Sequence, residues 1–333
     1  MMMRKFAAVI AVGMLAGSLT ACGDNAEESP GGSGTSAAAD KKITMGFSQV
    51  GAESGWRTAN TTSIKKAAED AGVDLKFSDA QQKQQNQITA IRDFIQQKVD
   101  VIAFSPVVVS GWDEVLEEAK DANIPVILTD RAVDAKDTSL YKTFLGSDFV
   151  KEGEKAGDWL VKTYKDQPGP VNIVELQGTT GSAPAIDRKK GFTDVISKDP
   201  KFKISQSQTG DFTRAKGKEV MTAFLKTDPK GINVLFAHND DMGLGAIQAI
   251  EEAGLKPGQD IKIVTIDAVK DGMQALADGK FNYIVECSPL LGPQLMDLAS
   301  KVVKGETVPT RVVTEETEFD QAKAKEALPN RQY

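Results

Sequence analysis

The sequence predicts an α/β protein made of two similar open lobes, each a Rossmann-like parallel sheet. Three observations point there: short, wholly apolar runs alternate with segments of helical spacing, the alternation restarts near residue 171, and the two halves carry matching stretches. Strands buried on both faces read as continuous apolar runs, which is the pattern of a parallel sheet covered by helices on both sides.

In the first half the strands are expected at Ile43–Phe47, Leu75–Phe77, Val101–Phe104 and Val126–Thr129. Helices are expected between them. Thr58–Ala71 stops near Gly72, Gln84–Gln97 carries Ile88, Ile91, Phe94 and Ile95 on one face, and Val115–Ala122 follows. In the second half the strands are Val171–Leu176, Lys203–Ser207, Val234–Ala237, Ile261–Ile266 and Tyr283–Val285, and the helices are Asp187–Ile196, Ala215–Leu225 and Gly243–Ala253, the last capped by Gly254. The halves align: DVIAFSPVVVSGWDEVLEEAKDANIPVILTDR and INVLFAHNDDMGLGAIQAIEEAGLKPGQDIKIVTIDA both read strand, polar loop, helix, turn, strand, acid, so Asp130 and Asp267 occupy equivalent places.

Ahead of this pattern, Arg4 and Lys5 precede an apolar run from Phe6 to Leu19 that ends in Leu19-Thr20-Ala21-Cys22. A basic start, a short apolar core and small residues before a cleavage point describe a secretory signal over residues 1–22, and the run is shorter than the roughly 20 residues of a membrane span. The Leu-x-x-Cys ending resembles a lipobox, which makes Cys22 the expected lipidation site and a tether rather than a catalyst. Residues 23–40, GDNAEESPGGSGTSAAAD, lack large apolar side chains and read as a flexible linker. The expected location is extracytoplasmic, anchored to the cell membrane by a lipid on Cys22.

Composition removes several function classes. The formal net charge is −7 with no standout basic patch, so nucleic acid is not an expected partner. The chain has one histidine and two cysteines. His238 is thus the sole candidate for a Ser-His-Asp or Cys-His arrangement, and a histidine–cysteine metal site lacks ligands. No metal and no cofactor are expected. Cys287, left without a partner, reads as a small buried residue in an apolar run. The GTTG at Gly178–Gly181 lacks the Lys-Ser/Thr of a P-loop, and Gly243-Leu-Gly245 lacks the third glycine of a dinucleotide fingerprint.

In open α/β sheets, ligands bind outside the carboxyl ends of the strands, so two facing sheets make a cleft lined by the residues after each strand. Those residues are Ser54, Trp56, Arg57, Asp130, Arg131, Arg188, Phe212, Asn239, Asp267 and Glu286. They combine flat apolar faces with planar hydrogen-bonding groups. A sugar offers C–H faces to aromatic rings and hydroxyls to carboxylates and guanidinium groups, so a polyhydroxylated ligand suits the set. Each member has a plainer reading: Trp56 as core, Asp130-Arg131 as a surface ion pair, Arg188 with Lys189 and Lys190 as a solvated face, Asn239 or Asp240 as a helix cap. Trp112 and Trp159 sit in helical contexts and read as packing residues.

Over residues 41 to 333 the chain resembles the periplasmic sugar-binding proteins of the ribose and galactose type, and within them the galactofuranose-binding component of a bacterial ABC importer. The stretches that carry the resemblance are GFSQVGAESGWR, DAQQKQQNQI, PVVVSGW, DRAVDAKD, GDWLVK, VELQGTTG, AIDRKKGF, TGDFTRAKGKEVM, AHNDDMGLGAIQAIEEAGLKPG and VTIDAVKD. The ribose type carries two adjacent aromatics where Trp56-Arg57 stands and Gln where Glu286 stands; the galactofuranose type shares both departures. The resemblance implies a type I periplasmic binding fold with a three-crossing hinge, its lobes being residues 41–147 plus 287–315 and 148–286 plus 316–333. It also implies a monomer that closes on a monosaccharide, galactofuranose-like or another aldose, and delivers it to an ABC importer permease. All of the ten residues above except Ser54 are ligand contacts it implies. Presentation of the sugar to a chemoreceptor or sensor kinase is an alternative. A glycoside-processing enzyme needs two carboxyl groups in one cleft, but acids beside Arg131 or Arg188 are expected to stay ionised, which opposes a general acid. A related sugar-responsive regulator needs an N-terminal helix-turn-helix where this sequence has the signal and linker.

Overall fold

The computed structural model describes residues 42–228 and 230–333; the expected signal, linker and Cys22 lie outside the described residues. From residue 42 onward the chain forms one compact unit. Its elements run β1 (Thr44–Gln49), α1 (Gly55–Asp70), β2 (Asp74–Asp79), α2 (Gln84–Gln96), β3 (Val101–Phe104), α3 (Asp113–Asp121), β4 (Val126–Thr129) and β5 (Thr143–Gly146). They continue with α4 (Phe149–Tyr164), β6 (Val171–Gln177), α5 (Ala183–Ile196), β7 (Phe202–Thr209), α6 (Arg214–Thr227), β8 (Val234–Ala237), α7 (Asp240–Glu252), β9 (Lys262–Asp267), α8 (Lys270–Ala277) and β10 (Tyr283–Glu286). The last are α9 (Gly292–Val303), β11 (Arg311–Val313), β12 (Glu318–Phe319) and α10 (Gln321–Ala327).

Two six-stranded sheets result, in the orders β11-β5-β4-β3-β1-β2 and β12-β10-β9-β8-β6-β7. All pairings are parallel except β10 with β12. The two-lobe α/β class read from the sequence is the one formed. β3, β4 and β8 are buried at every position, as continuous apolar strands between helical layers should be, whereas the edge strand β7 alternates exposed and less exposed residues. The sequence reading missed β5, α4, α8, α9, α10 and the short β11 and β12. The strands among them are brief edge or near-edge pieces whose apolar content is too small to register by period alone.

The chain passes between the sheets three times: from β5 to α4, from β10 to α9, and from β11 to β12. Side chains tie these passages together. Ser147 in the first contacts Cys287 Sγ in the second at 3.3 Å and Thr314 Oγ1 in the third at 3.2 Å, and donates to Glu316. Cys287 therefore sits in a crossing rather than in a strand, which corrects the sequence reading; it is buried, as expected.

Helix packing fixes where the site residues stand. α4 and α5 meet at Gly153 and Gly191, and a Cβ there would lie 2.2 Å from Arg188 O and 2.0 Å from Val150 O respectively. Only glycine allows that approach, and it brings Arg188 against Glu152 of α4. Trp112 donates to Val108 O and Trp159 stacks on Tyr283, so both act in packing.

Candidate ligand site

The carboxyl ends of the two sheets face each other and touch. Gly55 N donates to Asp241 Oδ2 at 2.8 Å, and Val109 N donates to Gly181 O at 2.9 Å, each contact joining one lobe to the other. Between them lies a cavity with about 270 Å³ of space. Nine of the ten residues read from the sequence line it: Ser54, Trp56, Arg57, Asp130, Arg131, Arg188, Phe212, Asn239 and Asp267.

On the first lobe, Ser54 caps α1 through a bond from Arg57 N to its Oγ. The helix start thereby presents Trp56 and Arg57 inward. The Trp56 indole donates to Cys287 O at 2.6 Å, and the Arg57 guanidinium lies 4.6 Å from the ring centre. Arg57 is fully held: Nη2 pairs with Asp130 Oδ2 at 2.7 Å, Nε with Glu53 Oε1 at 3.1 Å, and Nη1 donates to Gln49 Oε1 and Ser105 Oγ. Burial works against its charge, but Asp130 and Glu53 more than offset it and keep it protonated. Arg131 pairs with Glu53 Oε1 at 3.2 Å, and its guanidinium lies over the Phe212 ring of the other lobe at 5.3 Å. Burial, then the nearby Arg57, push its pKa down to about 10.

On the second lobe, Arg188 bonds Glu152 Oε2 at 2.7 Å, His238 O at 2.5 Å and Asp267 Oδ1 at 3.4 Å. Asn239 resolves its own ambiguity by doing two things: its Oδ1 accepts from Met242 N as the cap of α7, while its Nδ2 donates to Phe212 O at 3.1 Å. The cap thus holds the aromatic wall. Asp240 turns away to accept from Val269 N at 2.8 Å and from Thr265, a structural role.

Three lining residues have left-handed backbone: Asp130 at φ 64°, Phe212 at 60° and Asp267 at 117°. For residues other than glycine such conformations cost about 1–3 kcal/mol each and collect at functional sites. Asp130 and Asp267 share the feature at equivalent strand ends, as the repeat implies.

Two expectations need correction. Glu286 does not line the cavity: its Oε1 accepts from Arg331 Nη1 at 2.7 Å and the Tyr333 hydroxyl at 2.9 Å, and its Oε2 accepts from Thr317 N. The C-terminal segment, invisible to a strand-end rule, supplies those partners. Asp267 pairs with Arg188, yet burial pushes its carboxyl well above its ordinary value, where the arginine is expected to hold it down. Conversely, Glu53, Phe149, Pro184 and Cys287 line the cavity without having been singled out. Glu53 carried a signal, standing four residues before Arg57 on the way into α1; Cys287 and Phe149 reach the site only through the crossings.

His238 is buried, pairs with Glu175 Oε1 at 3.0 Å through Nε2 and accepts from Gly178 N at 3.4 Å through Nδ1, so both ring nitrogens have partners; burial lowers its pKa. Among the described residues one acid and thiol group has metal-like spacing, Glu152, Cys287 and Glu316, whose ligand atoms lie within 4.8 Å of one another. Arg188 already supplies the positive charge beside it. No described helix is long and apolar enough to cross a membrane.

A profile of the periplasmic binding protein domain matches residues 45–307. The galactofuranose-binding protein YtfQ of Escherichia coli (strain K12) is 52% identical over 289 residues, 86% of this chain and 90% of that protein. A crystal structure from Mycobacterium smegmatis in complex with β-D-fucofuranose is 70% identical, with a TM-score of 0.86 over 87% of this chain and 95% of that one. The binding component of the arabinose ABC transporter from Shewanella sp. ANA-3, bound to α- and β-L-arabinofuranose, is 50% identical, with a TM-score of 0.84 over 87% of this chain and 96% of that one.

Proposed function

The chain belongs to the periplasmic binding protein family, whose members matched here bind solutes rather than transform them, and from that premise we propose that it captures an aldose in furanose form for an ABC importer. The observation that carries this reading is the cavity itself: Trp56 and Phe212 offer apolar faces, and Arg57, Asp130, Arg131, Arg188, Asn239 and Asp267 offer planar polar groups around them. The furanose ligands of the similar structures support the ring form.

In this reading residues 41–147 plus 287–315 form one lobe and 148–286 plus 316–333 the other, joined by a hinge at the three crossings. The residues that line the cavity from both lobes, among them Trp56, Arg57, Asp130, Arg188, Phe212 and Asp267, are buried. Entry then requires the lobes to part, and ligand that bridges both walls favours the closed state by its differential contacts. The closed outer surface is what a membrane permease would recognise. Cys22 anchors the monomer to the outer face of the membrane in this scheme.

Calorimetry of the purified protein against D-galactose, L-arabinose, D-fucose, D-ribose and D-glucose tests the assignment. Binding of one of the first three, with the sugar recovered unchanged, is expected. No heat from any of the five, with the protein shown folded, would overturn it.

A further inference from the structure

Glu53 has a geometry that neither helix capping nor charge pairing accounts for. Its side chain is only 3% exposed, and its Oε1 accepts from Arg57 Nε at 3.1 Å and from Arg131 Nη2 at 3.2 Å. Its Oε2 is shielded from solvent and has no hydrogen-bond partner; Arg131 Nε likewise makes no hydrogen bond and stands 3.7 Å from Asp130 Oδ2 in an ion pair. Both residues line the cavity. Two cations on one oxygen fix the plane of the carboxylate, so the second oxygen cannot swing out to water. A buried carboxylate oxygen left without a donor is expensive, and such groups are rare in folded proteins.

The neighbouring acid differs. Asp130 Oδ2 already accepts from Ser105 Oγ at 2.9 Å and pairs with Arg57. Among the described residues that line the cavity, Glu53 Oε2 is therefore a desolvated acceptor without a hydrogen bond. A ligand hydroxyl is the chemistry that satisfies this oxygen, by donating to it. A site built this way discriminates strongly against an analogue that lacks the hydroxyl, because its own buried polar atoms are then left unpaired.

Resting on the sugar-binding reading above, we propose that Glu53 is a specificity-determining contact, its Oε2 accepting from one ligand hydroxyl while its Oε1 holds Arg57 and Arg131 in position. Ligands with an apolar group at that point of the ring are rejected.

The test uses the aldose bound most tightly in the panel above and its set of monodeoxy analogues, titrated into wild type, Glu53→Gln and Glu53→Asp. Wild type should bind one analogue roughly tenfold or more weaker than the parent sugar, the scale of a hydrogen bond to a charged group. In Glu53→Gln the parent weakens by a similar factor while that analogue changes little, so the discrimination collapses. Glu53→Asp keeps the charge between the two arginines but withdraws the oxygen, and the same collapse is expected there. If the variants weaken the parent and every analogue alike, Glu53 merely positions the arginines and the direct contact is refuted; unchanged binding refutes it too. A wild type that binds no aldose overturns the sugar reading itself and this inference with it, an outcome distinct from failure of the variants alone.

Discussion

Replacing Glu152 with Gln should remove a pH dependence of stability that its burial builds in. Glu152 is buried on α4, where burial pushes its pKa up to about 8, the pull of Arg188 notwithstanding, with Glu316 adding to the rise. A carboxyl raised in the folded state contributes stability that is fully present below its ordinary value near 4.5 and is lost as pH climbs toward 8. Across that window the native state holds one more proton than the unfolded chain at this residue, so stability falls by at most about 1.4 kcal/mol per pH unit. His238 acts in the opposite sense: its lowered pKa makes the folded state bind fewer protons below about 6.5, and stability rises with pH there. Other raised acids, among them Glu316 and Asp240, add to the downward slope. Gln keeps an oxygen for Arg188 Nε and removes the Glu152 titration, so the difference between wild type and Glu152→Gln reports that titration together with its coupling to Glu316. Urea denaturation at pH 5, 6, 7 and 8 should show the variant gaining on wild type steadily as pH rises. A difference that stays constant across the series would refute the account of Glu152 as a carboxyl kept neutral by burial.

Further consequences can be checked independently. Trp56→Ala removes both a cavity wall and the indole bond to Cys287 O in a crossing, and calorimetry should show an affinity loss of about 2 kcal/mol or more, roughly thirtyfold. Gly191→Ala places a methyl 2.0 Å from Val150 O, so the thermal midpoint should fall with a destabilisation of about 1–3 kcal/mol as α4 and α5 separate. Asp130→Ala leaves the buried Arg57 short of its carboxylate and forfeits a side chain suited to left-handed backbone, so urea unfolding should report a loss of about 3–5 kcal/mol, with Asp130→Asn losing less. Cys22→Ser should release the protein from membranes to the soluble fraction on cell fractionation, whereas wild type stays bound.

What the sequence by itself determined is whatever depends on short-range pattern. Continuous apolar runs identify the buried parallel strands β1, β3, β4, β8 and β9, because burial on both faces demands apolar residues at every position. The strand-end rule then finds Trp56, Arg57, Asp130, Arg131, Arg188, Phe212, Asn239 and Asp267, since chain direction in a parallel sheet puts their ends on one edge. Tertiary structure decided the rest. Whether a strand-end acid meets the cavity depends on partners distant in sequence, and Glu286 is claimed by Arg331 and Tyr333 from the C-terminal segment. Glu53 became a cavity residue because α1 and β4 bring two arginines onto one of its oxygens and leave the other bare. Burial pushes the Asp267 carboxyl above its ordinary value, and desolvation is a property of the assembled surroundings that no local string of residues encodes.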